Sequence, residues 1–135
     1  MTGTTTLDPT MPVIDLVHPM PGFPDDTHFA LVDLDGSGGL CSMRSLDHPD
    51  LRFLVAPPNL FFPDYAPEIE NEVFAALNTK DPDRLLLMTV ITAGVDETTA
   101  NLLAPIVLDR DTMRAMQVVL SGSGYPVRAI MHRAY

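Results

Sequence analysis

The residues predict a mainly β chain, a small antiparallel, partly open β-barrel-like domain with one short α-helix near residues 67–78. Three observations lead there. Thirteen Pro and eight Gly in 135 residues punctuate the chain too often for long helices. Between them lie short apolar or alternating runs with the period of strands. Only one stretch, beginning at Pro67, carries apolar residues at helical spacing. We expect residues 1–10 to be a flexible polar arm and residues 11–135 to form a single domain.

The elements follow in order. Val13 to Val17 reads as the first strand. The run His18-Pro19-Met20-Pro21-Gly22-Phe23-Pro24 excludes regular structure, and Pro21-Gly22 suits the centre of a type II turn. Phe23 behind that turn is placed to plug the end of a barrel. Phe29 to Asp35 and Leu40 to Leu46 read as a hairpin about Gly36-Ser37-Gly38-Gly39. Asp33, Asp35, Ser37 and Gly38 imitate the start of a calcium loop, but Arg44 stands where that loop needs a bidentate Glu. The hairpin is therefore the better reading.

Leu51 to Val55 is a strand stopped by Pro57-Pro58. The loop Asn59 to Tyr65 then carries Phe61, Phe62 and Tyr65, which either fold into the core or anchor a partner. In the helix, Pro67 suits the first position and Asn78 the stop. Ile69, Val73, Phe74 and Leu77 share one face. Leu85 to Ala93 is the strongest buried strand. Thr99 to Val107 reads as a buried strand with Pro105 at an edge, a bulge or the strand start. Asp109 to Thr112 turns the chain into Met113–Leu120, and Tyr125–Ile130 is a last edge strand.

The formal charge is −10, which repels phosphate backbones and excludes direct nucleic-acid binding as the first choice. It favours a basic protein partner. All eighteen acids lie at or before Asp111, and beyond it stand only Arg114, Arg128 and Arg133. Cys41 is alone, so neither an internal disulfide nor a cysteine-based zinc site is available. His18, His28, His48 and His132 show no metal-ligand spacing. Nothing resembles a nucleophile elbow or a P-loop. No cofactor is implied, and the longest apolar run is too short for a membrane span. The residues alone give an acidic, mostly β binding module compatible with the cytoplasm, and nothing in them argues for an enzyme.

Three segments add a family. Pro21-Gly22-Phe23, the run Phe53 to Tyr65 with its Ala56-Pro57-Pro58-Asn59-Leu60-Phe61-Phe62-Pro63-Asp64, and Thr99-Ala100-Asn101-Leu102-Leu103-Ala104-Pro105-Ile106-Val107 resemble, in order and spacing, the bacterial flagellar assembly factor FliW. The likeness runs from about Val13 to Arg128 and continues through Gln117-Val118-Val119-Leu120 and Tyr125. Departures occur at Arg44, Pro57, Asp109 and Met113-Arg114-Ala115-Met116. The resemblance implies a cytoplasmic, non-catalytic β-barrel-like protein that binds and antagonises CsrA, the RNA-binding translational regulator, and also binds flagellin. The alternative is a flagellin chaperone without CsrA antagonism. Partner contacts are expected from Phe62, Asp64 and Tyr65 in the aromatic loop, and from Asn101, Pro105 and Gln117.

Overall fold

A computed structural model describes residues 12–131; the expected arm at 1–10 lies outside them. The strands are β1 (Val13–Leu16), β2 (His28–Asp33), β3 (Cys41–Ser45), β4 (Arg52–Ala56), β5 (Leu85–Ala93), β6 (Thr98–Ala100), β7 (Ile106–Asp109), β8 (Arg114–Gln117) and β9 (Ala129–Ile130). Helix α1 spans Asn71–Leu77. The nine strands form one sheet in the order β4-β3-β2-β1-β8-β7-β5-β6-β9, and an added β4–β5 pairing closes it into a ring. Strands β6 and β9 lie outside that ring as a flap on β5. Neighbouring strands in the ring run antiparallel except β1 and β8, which pair in parallel with Asp15 opposite Arg114.

Every strand of the ring sends at least one side chain into the main core. Ile14 and Leu16, Phe29, Met43, Val55, Met88, Ile106 and Leu108, and Ala115 fill it. This is the inward half of each period-2 alternation. Phe23 sits on this cluster with its ring edge-on to Phe53, centroids 5.3 Å apart. The corner that delivers it is the expected turn: the Phe23 N–H donates to the Met20 carbonyl at 2.9 Å and Gly22 has φ +89°. A positive φ at that position is what a type II turn demands of its third residue.

Helix α1 covers the opposite face of β7, where Val73, Leu77 and Val107 form a second, smaller cluster. Strand β7 is consequently buried on both faces. The helix starts later than its sequence predicts. Pro67 to Glu70 carries no helix, Glu70 itself being extended at φ −71° and ψ 155°, and the partly buried Ile69 packs on the cluster from this lead-in. Asn78 ends the helix in the left-handed conformation, φ 58° and ψ 46°.

The longest strand, β5, organises the rest. Its middle pairs with β4 on one side. Its other side pairs with β7 through Leu85–Met88 and with β6 through Ile91–Ala93. Residues 98–109 thus run along one edge of β5 and leave it only at 101–105. The single strand predicted over Thr99–Val107 is in fact two short strands in one lane with an excursion between them. The polar Asn101 initiates the departure, and Pro105 immediately precedes β7, so its missing N–H falls at the strand start.

The calcium-like residues serve the β2–β3 turn. Asp33 accepts from the Asp35 and Gly36 N–H groups, and Asp35 from the Ser37 N–H and hydroxyl. A second polar knot fixes the turn after β3. Buried Asp26 accepts from the Ser45 hydroxyl and from His48 Nδ1 through one oxygen. Ser45 Oγ in turn accepts the Asp47 and His48 N–H groups at 3.2 and 3.0 Å. Ser45 and His48 both serve the carboxylate, which leaves neither to activate the other.

This knot gives the chain a pH dependence. The Ser45 bond first, and His48 second, hold Asp26 below the ordinary 3.8; the Asp26 bond and charge hold His48 above the ordinary 6.5. A raised histidine contributes stability that is complete below its unfolded value and is lost as pH rises through the folded one. A lowered carboxylate contributes above its unfolded value and loses it as pH falls through the folded one. His48→Gln is therefore expected to lower the melting temperature most between about pH 4.5 and 6 and least above about pH 8. Melting curves of the two proteins across this range check it; a constant difference would contradict it.

Candidate functional site

The excursion at 101–105 is held by groups from four other segments. Asn101 Oδ1 accepts the Leu103 and Ala104 N–H groups at 3.1 and 3.0 Å, which curls the chain into an Asx-type turn. The Asn101 N–H itself donates to the Val90 carbonyl at 3.0 Å, tying the turn to β5. Each of the next carbonyls then takes a donor from elsewhere. Tyr65 Oη donates to Leu102 O at 2.7 Å, and the Leu120 N–H to Leu103 O at 2.8 Å. Gln117 Nε2 donates to Ala104 O at 3.1 Å, and the Val118 N–H to Pro105 O at 2.9 Å. The Leu102 and Leu103 N–H groups point to Pro126 O. An irregular, largely buried segment needs this complete pairing, because an orphaned backbone group there costs about 1–3 kcal/mol.

The aromatic loop supplies the side wall. A 3-10 turn at Pro58–Leu60 places Phe62, whose N–H donates to Pro58 O at 2.8 Å, and Tyr65, whose N–H donates to Phe62 O at 3.0 Å. Both rings pack on a third cluster made by Ala56, Ile91, Ala100 and Leu102. Tyr65 meets Tyr125 edge-on at 4.7 Å. Burial first, and Tyr125 second, push the Tyr65 phenol up to about 12, so it remains a donor throughout the neutral range. Asp64 is exposed at the turn between the two aromatics.

Five of the six residues expected at a partner surface therefore converge on one loop. Tyr65, Asn101 and Gln117 are half-buried and their polar atoms are engaged in holding backbone. Phe62 is half-buried against the same cluster. Pro105 is a correction. It was expected at the partner surface, yet of the edge, bulge and strand start open to it the chain takes the strand start, where it is fully buried and offers no surface. Asp64 stands apart as a free exposed acid. The apolar surface beside the loop comes from residues that sequence reasoning passed over. Val119 and Val127 are exposed by 58% and 53%, each next to residues whose backbone holds the loop.

The β7–β8 turn is built on Asp109. Asp109 is fully buried and accepts the Asp111 and Thr112 N–H groups at 2.9 and 3.3 Å. Arg84 Nη2 lies 3.1–3.2 Å from both its oxygens, and Arg84 Nε 3.0 Å from Asp111. Burial alone would raise Asp109; the two N–H groups and the guanidinium prevail, and the carboxyl lies below its ordinary value. Met113 closes this turn at φ +61°, a conformation that suits glycine better.

No helix among the described residues is long and apolar enough to cross a membrane. Among them there is also no cluster of three or more metal-ligating side chains.

Known proteins resemble this chain in sequence and in fold. The family model described as FliW protein matches residues 1–131. The flagellar assembly factor FliW of Bacillus pumilus (strain SAFR-032) is 32% identical over 124 residues, covering 90% of this chain and 86% of its own. That of Bacillus subtilis (strain 168) is 31% identical over 111 residues, covering 81% and 78%. A crystal structure of the flagellar assembly factor FliW superposes with a TM-score of 0.83 at 25% identity, covering 90% of this chain and 86% of the other. These names are those of an assembly factor and not of an enzyme family. With the closed ring, the Pro-Gly-Phe corner and the clamped 101–105 loop in place, the chain belongs to the FliW family of flagellar assembly factors.

Proposed function

We propose that this chain acts in the cytoplasm by binding alone, capturing CsrA and flagellin and so coupling flagellin synthesis to flagellum assembly. Flagellin that accumulates occupies the protein and leaves CsrA free to repress flagellin translation. Flagellin that is exported frees the protein to capture CsrA. Family membership over nearly the whole chain is the observation that carries the reading. The charge of −10 supports it, since it attracts a small basic RNA-binding protein and repels RNA itself.

In this reading Asp64 and the open face of Phe62 meet the partner directly. Tyr65, Asn101 and Gln117 act by fixing the loop that the partner touches, and Pro105 acts only from beneath it. The departures at Asp109 and Met113–Met116 lie in the turn and strand leading to Gln117. They leave room for a second reading, a flagellin chaperone without CsrA antagonism. Mixing this protein with CsrA and a labelled target RNA distinguishes the two. Release of the RNA in proportion to added protein is expected. RNA that stays bound, with flagellin still captured, would establish the chaperone instead.

A further inference from the structure

Beside the cluster that holds the 101–105 loop, an open groove of about 1180 Å³ runs between the β2–β3 turn, the 3-10 turn of the aromatic loop and the β5–β6 turn. It is at or beyond the upper size of a small-molecule cleft. Leu40, Leu54 and Ile91 form its floor. Its walls are large apolar side chains left to water: Leu60 is 59% exposed, Ile130 45% and Val95 fully. Apolar side chains gathered in one concave place are the mark of an interaction surface, unlike single exposed ones.

Two features say what covers it. First, the charged residues lining it are Asp35, Asp96 and Glu97, all acidic, with no Lys or Arg among the described lining residues. Second, β9, which contributes Ile130, is the terminal strand of the sheet order and among the described residues is paired on one edge, by β6. An apolar floor under an acidic rim beside a one-sided strand suits an extended segment with apolar anchors between cationic residues. A second copy of this chain fits poorly, because two bodies of charge −10 repel.

We propose that this groove seats a polypeptide segment of a basic partner, with its apolar side chains on Leu60, Ile91 and Ile130 and its Lys or Arg residues against Asp35, Asp96 and Glu97. It rests on the function proposed above, under which CsrA is the basic partner. The groove adjoins the 101–105 loop without including it: Ile91 of its floor packs in the cluster that holds Leu102, and none of residues 101–105 lines it. The chain's geometry supports exposed substitutions here. Asp96 and Glu97 sit on the β5–β6 turn, which is closed by the Gly94 N–H donating to Glu97 O at 2.9 Å, and their side chains point to solvent.

The test uses the full chain, CsrA and flagellin as separate probes, with binding measured at low and at physiological salt. The double variant Asp96→Lys, Glu97→Lys is expected to bind CsrA about tenfold or more weakly at low salt, with the gap narrowing as salt screens it. Ile130→Glu is expected to weaken CsrA by about tenfold as its apolar contact is lost. Melting curves establish that both variants remain folded. CsrA affinity unchanged in both folded variants overturns the groove assignment while leaving the function intact. Loss of flagellin binding with CsrA binding intact also overturns it, assigning the groove to the other partner. Concentration-dependent dimers of the unaltered chain that the double variant abolishes overturn it in favour of a second copy. An unaltered chain that does not bind CsrA overturns the proposed function, and the groove's occupant with it.

Discussion

Tyr65→Ala is expected to destabilise the chain by about 2–4 kcal/mol, or roughly 10 °C in melting temperature, and to loosen the 101–105 loop. The ring is half-buried against Ala56, Ile91, Ala100 and Leu102 and against the edge of Tyr125. Its removal leaves space that a Pro-bounded loop refills poorly. It also orphans the Leu102 carbonyl, which takes the Tyr65 hydroxyl at 2.7 Å. Tyr65→Phe separates the two losses. It keeps the packing and is expected to cost about 1 kcal/mol. Amide exchange at Leu103, Ala104 and Leu120 should rise in both variants, and more in the alanine one. Protection unchanged in Tyr65→Ala would show that the clamp is dispensable.

The second large effect lies at Asp109. Asp109→Ala removes a fully buried carboxylate that serves two backbone N–H groups and the Arg84 guanidinium. The expected cost is about 3 kcal/mol, below that of a wholly buried pair because Arg84 keeps 31% of its side-chain surface in water. Asp109→Asn keeps an acceptor for Asp111 and Thr112 and is expected to cost about 1 kcal/mol. The two variants also differ from the parent in acid. A carboxyl held below its ordinary value contributes above the unfolded 3.8 and loses that contribution as pH falls through the folded value. Chemical denaturation at neutral pH and near pH 3 should show the penalty of Asp109→Asn shrinking in acid. An undiminished penalty would place the effect in shape, not charge.

What local chemistry dictates was legible in the residues. The bounds of β5 at Leu85–Ala93 coincide with the apolar run, the Pro21-Gly22 turn has the backbone it needs, and Asn78 stops the helix where expected. What depends on distant pairing was not. Nothing in Arg52–Ala56 announces that β4 will close on β5, nor anything in Val13–Leu16 that β1 will lie parallel to β8. The helix starts only at Asn71, and the partly buried Ile69 packs on the Val73, Leu77 and Val107 cluster from the lead-in before it, a tertiary contact.

The site divides in the same way. Asn101 and Tyr65 were both expected at one partner surface, Tyr65 as an aromatic of the loop Asn59 to Tyr65. That both hold one backbone segment is a relation across 37 residues in the case of Tyr65 and Leu102. Pro105 misled because a missing donor looks the same at an exposed edge and at a buried strand start. Asp96 and Glu97 are two turn acids in the sequence, and their place on the rim of an apolar groove follows only from the β5–β6 geometry.

The central claim is that one binding protein couples two partners. Its most direct test is to preform the complex of this chain with CsrA and labelled target RNA, then titrate flagellin while following the RNA. The account predicts that the protein first strips RNA from CsrA and that flagellin restores RNA binding as it displaces CsrA. RNA binding that flagellin leaves unchanged, although flagellin binds the protein, would contradict it.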